Sequence, residues 1–488
     1  MHEQISKILE EYKKVWALRY ASNLLGWDIE TYMPEDSAKT RGEVLAQLEA
    51  LEQKFIIDMK PLIEKASKIE DLDDFEKGVV RVLNRRLKFY MSIPSELLME
   101  LHKITTESAV IWRESKKRSD FNSFKPYLEK IVELERQIAE KLGYEGSPYN
   151  ALLDIYEEGL TVNDVDSVFN MLLPSLKSIL EKVRSENRFP SSHSLEDMAY
   201  DVEVMKKVNE ELLRVLDMPV GKKFRMDVSA HPFTQGLSVD DVRITTRYEG
   251  IDFKRTMFSV IHESGHAIYE LQLDPKLEWT PVGEGVSLGI HESQSRFWEN
   301  IIGRSRAFVK VVYPIIKKYL NLNYSEEEIY KYFNTVKPSF IRVDADEVTY
   351  NFHIAIRYEL EKKLIENKMS VSDLPSAWND LMEKYLGIRP KNDSEGVLQD
   401  IHWSQGSFGY FPTYTLGNVV AGMIYHDFNP SKLYSLVEER RISDIKSYLR
   451  EKIHKYGAIY PPKELLKRSF GESYNAERLV GYLRDKYL

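Results

Sequence analysis

Residues that interrupt regular structure are scarce in this chain: 23 glycines and 19 prolines are spread over 488 positions. Both shares fall below the usual ~7% and ~5%. Tight turns must therefore be few, and the elements between them long helices. The periodicity agrees. Ile5, Ile8, Leu9, Tyr12, Val15 and Trp16 recur at three- and four-residue steps, and helical patterning continues through 75–101 and 124–142. Thr161 with Asp164, and Ser325 with Glu328, carry the spacing of helix-opening capping boxes. The segment RFPSSHS at 188–194 reads as a surface loop rather than a linker. Strand character is confined to FRMDVS (224–229) and DVRITTRY (241–248), around a turn containing proline and glycine. The predicted class is mainly α with a small sheet.

Composition narrows the function. Hydrophobic residues make up 43% of the chain, enough for a large core, so global disorder is excluded. The net charge of -9 argues against nucleic acid as a partner, because neutralising phosphates needs a basic face. Cysteine is absent, so no disulfide, thiolate nucleophile or cysteine-held metal is available. No apolar run of ~18 residues suggests a membrane span. The opening MHEQISKILEEYKK lacks the apolar core of a signal peptide, so the expected location is the cytoplasm. Residues 401–426 contain no charged side chain, although such residues form 30% of the chain. That stretch is expected to be buried in the core or to line a ligand cleft.

The most informative motif is His262-Glu263-Ser264-Gly265-His266, within a segment of helical pattern. Residues four apart on a helix lie ~40° apart around the axis and about 6 Å along it. Two imidazoles so placed can share one metal ion, and the glutamate between them can reach a water on that ion. A catalytic zinc needs three protein ligands. Glu270 continues the stripe but lies about 12 Å from His262 along the axis, too far to share the ion. Tyr269 and Gln272 stand where the metzincin pattern needs Gly and His. His291-Glu292 follows a connection rich in Gly and Pro, which lets a second helix pack on the first. Glu292 is the preferred third ligand, Glu284 in the loop a weaker candidate, and His291 is expected to face away. Zinc lowers the pKa of a water it binds to about 7. Glu263 would take that proton during attack on a carbonyl and deliver it to the leaving amine.

Together with further ordered elements, these residues resemble the M32 family of metallocarboxypeptidases. The likeness is loose in the first half, at LLGWDIETYMP (24–34). It is specific in the second: His231-Pro232-Phe233, the D-x-R-x-T element at 241–245, the metal motifs at 262–266 and 291–293, I-R-x-x-A-D at 341–346, and G-x-x-Q-D-x-H-W at 396–403. Ala230 departs from the Asp expected there in many relatives. The resemblance implies a helical fold similar to neurolysin and angiotensin-converting enzyme, with a deep cleft and a small sheet at its edge. It implies one catalytic domain over 1–488, with a helical half at 1–220 and a metal-site half at 221–488. It implies a homodimer that releases single C-terminal residues from peptides with broad specificity, using one Zn2+ per chain, with Co2+ as a possible substitute. By the same resemblance Arg342 holds the substrate carboxylate, Tyr414 or Tyr410 donates to the oxyanion, and His231 and His402 line the site. Asp344 and Asp346 would orient Arg342. An endo-acting oligopeptidase, or an inactive metal-binding protein, are the alternative readings.

Overall fold

The computed structural model describes residues 1–488 as twenty α-helices and one three-stranded sheet. Two compact units form, each from three stretches of chain. The first comprises Met1–Tyr90, His193–Phe333 and Met423–Ser473; the second comprises Met91–Ser192, Asn334–Gly422 and Tyr474–Leu488. The chain thus does not part at residue 220. The loop at 188–194 contains one passage from unit to unit, at Ser192–His193.

In the first unit the helix Glu3–Thr31 buries Ile5, Ile8, Tyr12 and Val15. They pack with Ile56, Ile63, Val79 and Leu83 in one apolar cluster, the outcome the three- and four-residue spacing predicts. Ser325 and Glu328 form their reciprocal cap. The two strands expected from sequence are β1 (Phe224–Val228) and β3 (Asp241–Thr246). Between them the sequence predicts only a turn, yet Thr234–Ser238 form a third strand, β2. The order is β1-β3-β2, with β1 parallel and β2 antiparallel to β3. TQGLS lacks the alternating branched residues that announce a strand; pairing with β3 supplies the structure instead. Asp241 and Arg243 pair at 2.7 Å, and Arg243 lies over the ring of Trp27. Trp27 in turn meets Phe233 at 5.3 Å. These motif residues therefore build the wall beneath the helix Phe253–Leu271, which packs on β2 and β3.

In the second unit the helix Tyr350–Ile365 is buried on nearly every side, from Phe352 to Leu364. Thr161 and Asp164 form the predicted capping box. The uncharged stretch packs closely: a Cβ on Gly409 (φ +94) would stand 2.7 Å from the Leu152 backbone, and one on Gly422 would stand 2.7 Å from Leu479 N. Burial accounts for its missing charges.

The same unit buries Glu361 and Glu135 close enough to interact. Glu361 accepts from Tyr149 Oη at 2.5 Å, Trp403 Nε1 at 2.7 Å and Gly409 N at 2.9 Å. Glu135 is 4% exposed; burial, with Glu361 adding, pushes its carboxyl up to about 8. A carboxyl raised this way holds its proton in the folded chain while the unfolded chain ionises near 4.5. Stability on its account is full at lower pH and falls as pH rises toward 8. Glu135→Gln removes the titration. Its melting temperature is expected to gain on the parent between pH 6 and 9, by a stabilisation of a few kcal/mol at the alkaline end. Parallel melting curves across that range would defeat the assignment.

Candidate metal centre

The helix Phe253–Leu271 and the helix Leu288–Arg296 cross at Gly265. A Cβ there would lie 2.7 Å from both Gln294 O and Ser295 Cα, so only glycine admits the second helix this closely. The crossing brings Glu292 over the two histidines. Glu292 Oε2 lies 3.7 Å from His262 Nε2 and 3.4 Å from His266 Nε2. One ligand atom from each of the three residues falls within 4.8 Å of the others. Two imidazole nitrogens and one carboxylate oxygen converging this way fit a divalent ion with an open position. Glu284, the weaker candidate, is instead paired with Arg19 and Arg86. Glu270 is likewise outside the cluster and contacts His291.

Neighbours hold each donor. Arg296 Nε donates to Glu292 Oε1 at 2.7 Å, and Ser295 Oγ lies 3.0 Å from Oε2. His262 Nδ1 meets Glu299 Oε2 at 2.8 Å. Glu299 sits in a π-helical continuation, Phe297–Gly303, the kind of local widening found at functional sites. Burial opposes ionisation of Glu292, but Arg296 and His262 prevail and hold it well below the usual carboxylate range. Burial also opposes the charged form of His262, yet Glu292 and Glu299 lift it to about 9. For His266, burial outweighs Glu292 and pulls it down to about 4. Glu263, 7% exposed, accepts from Thr234 Oγ1 at 2.6 Å. Burial raises its carboxyl above the ordinary range, against the pull of His262.

The sequence profile of the Carboxypeptidase Taq (M32) metallopeptidase family matches residues 7–487. The chain belongs to the M32 family. It is 47% identical to thermostable carboxypeptidase 1 of Pyrococcus furiosus, over 100% of this chain and 99% of that one. It is 36% identical to carboxypeptidase 1 of Bacillus subtilis, over 100% and 98%. The structure of the Pyrococcus furiosus carboxypeptidase described as Apo-Mg superposes with a TM-score of 0.99, covering 100% and 99% of the two chains. Trypanosoma cruzi metallocarboxypeptidase 1 gives 0.94 at 32% identity, covering 99% of each. This M32 chain is a metal-dependent carboxypeptidase, a peptide hydrolase with a helical fold and a small sheet. None of its helices is long and apolar enough to cross a membrane.

The second unit of the M32 chain holds Arg342, Tyr414, Tyr410 and His402. Arg342 is 7% exposed. Its Nη2 donates to Asp400 at 2.8 Å, its Nε lies 3.2 Å from the same carboxylate, and its Nη1 donates to Tyr350 Oη at 3.1 Å. The orienting acid is therefore Asp400, not Asp344 or Asp346. Asp346 accepts from Val348, Thr349 and Lys337 and so fixes the following turn. Arg357 grips Asp400 from the other side at 2.5 Å. Tyr414 lies 5.1 Å below the Arg342 guanidinium, and its hydroxyl meets His402 Nε2 at 3.2 Å. Tyr410 is 5.3 Å from Tyr414. Burial, against the pull of Asp400, holds His402 down at about 4, so it is neutral at pH 7. His231, in the first unit, is exposed, and its carbonyl accepts from Ser229 Oγ in the same loop.

Thr234, Arg296, Glu299, Asp400 and Arg357 are the supporting residues that motif reading passes over. Asp400 had a signal, since it lies within the G-x-x-Q-D-x-H-W element beside His402. Arg357, in mid-helix with no motif around it, had none.

Proposed function

We propose that this M32 chain is a zinc exopeptidase of broad specificity, active on peptides with a free C-terminus, working as one catalytic domain. The observation that carries the reading is the convergence of His262, His266 and Glu292 within 4.8 Å, with Glu263 buried beside them. Two imidazoles and one carboxylate favour zinc over magnesium, and cobalt would serve as a substitute. Bound there, one divalent ion per chain supplies Lewis acidity worth several kcal/mol to a developing oxyanion. Glu263, pointed by Thr234 and raised by burial, accepts the proton of the attacking water and returns it to the leaving amine. Tyr414 or Tyr410 donates a hydrogen bond to the oxyanion. Arg342 receives the terminal carboxylate. Three of its five N–H groups are committed to Asp400 and Tyr350, which leaves two for a ligand. His402, neutral and joined to Tyr414, and His231 line the substrate.

The test compares one peptide with its C-terminal amide, followed by mass spectrometry. Stepwise loss of single residues from the free peptide alone is expected. Equal internal cleavage of both would make the chain an oligoendopeptidase. Replacing Glu292 by alanine is expected to empty the centre and abolish activity together. Full metal content in that variant would remove Glu292 from the ligand set. The family resemblance further supports a homodimer, for which light scattering is expected to give about twice 57.1 kDa.

A further inference from the structure

The two imidazoles of the centre are supported differently. His262 leans directly on the Glu299 carboxylate, whereas His266 leans on a second imidazole. His266 Nδ1 lies 2.7 Å from His291 Nδ1, and His291 Nε2 lies 2.6 Å from Glu270 Oε1. We propose that Glu270 and His291 form a tautomer-setting relay that keeps the Nε2 lone pair of His266 turned to the metal.

The proton positions follow from bonding capacity. A carboxylate only accepts, so His291 must donate to Glu270 through Nε2–H. A neutral His291 then offers a bare Nδ1, which accepts, and His266 must donate through Nδ1–H. That leaves His266 Nε2 without hydrogen, facing Glu292 at 3.4 Å. Each step excludes the other tautomer of the next ring. Glu270 lies one helical turn beyond His266 on the same stripe, which explains how it reaches His291 while staying out of the ligand cluster.

The fold keeps room for both members of the relay. A Cβ on Gly236 of β2 would stand 2.7 Å from Glu270 Oε2, and a Cβ on Gly285 would stand 2.7 Å from His291 Cδ2. The Tyr269 ring flanks His291 at 4.9 Å, and its hydroxyl accepts from Val286 N at 3.2 Å, tying down the connection that carries Gly285. Two glycines from separate segments thus border the relay, where any larger residue would displace it. Neither Glu270 nor His291 is given a contact with substrate; both are positioning residues, and the relay rests on the ligand set proposed above.

Metal affinity is the readout, measured by competition between the purified full chain and a chromophoric chelator for Zn2+. Partners behind a metal-bound histidine are typically worth 10- to 100-fold in affinity. Glu270→Gln and His291→Ala are each expected to weaken the metal by about that factor. The double variant is expected to be no weaker than His291→Ala alone, because Glu270 acts only through His291. Gly236→Ala, which crowds Glu270 and removes no relay atom, is expected to shift affinity in the same direction. Nitrogen NMR of 15N-histidine-labelled protein is expected to show His266 as the Nδ1–H tautomer in the parent and a mixture in Glu270→Gln. Affinity in Glu270→Gln equal to the parent, or losses that multiply in the double variant, would overturn the relay. His266→Ala is the control: if it keeps full affinity, the ligand set itself is wrong and the relay goes with it.

Discussion

Glu263→Gln is expected to keep the metal and lose catalysis, with kcat down by at least ~10²–10⁴, the range for a positioned proton carrier. The substitution is nearly isosteric. Thr234 Oγ1 can still donate to the amide oxygen as it does to Glu263 Oε2 at 2.6 Å. The three proposed ligands are untouched, so metal content separates a chemical defect from an assembly defect. What the amide cannot do is take a proton from water and hand it to the amine. A Gln variant within tenfold of the parent would mean that the proton travels by another route. Loss of metal along with activity would make Glu263 part of the binding site instead.

Removing Arg342 is the second large effect. Arg342→Ala is expected to lower kcat/KM on a free-ended peptide by about 30- to several-thousand-fold, from the ~2–5 kcal/mol that accompanies loss of a charge-assisted partner. The amidated peptide, which has no carboxylate to lose, should change far less. The fold should survive, because Asp400 keeps the Arg357 pair at 2.5 Å and is not left alone in the interior. Arg342→Lys should recover only part of the loss, since an ammonium cannot present two parallel N–H groups. An Arg342→Ala enzyme that still discriminates between the two peptides would move carboxylate recognition elsewhere. Arg243 would be a poor substitute, because its guanidinium is already paired with Asp241.

The site was legible where one helix does all the placing. Four-residue spacing aligns His262 with His266 without any knowledge of the rest of the chain, and the connection before His291 is long enough to return Glu292. The same reasoning sets Glu270 apart from His262, and in the structure it lies outside the cluster of three. It failed where partners come from distant sequence. Asp344 and Asp346 were natural companions for Arg342 by proximity, but the short turn Arg342–Asp344 brings in Asp400, 58 residues on. Glu299 carries no motif either: it meets His262 from 37 residues away, within a π-helical segment that no composition announces. β2 escaped for a related reason: a strand made by its neighbour's pairing leaves little trace in its own residues.

The contact at Gly265 bears on metal uptake by the proposed ligand set. Because the two helix backbones already touch there, Glu292 is set close to both imidazoles before any cation arrives. The loss of conformational freedom that a flexible site would suffer on binding has been met during folding. Metal uptake should then resemble filling a rigid socket more than closing a hand. Bulk at Gly265 would act on the socket's width: even a methyl group would wedge the helices apart and lengthen every ligand distance from Glu292 at once.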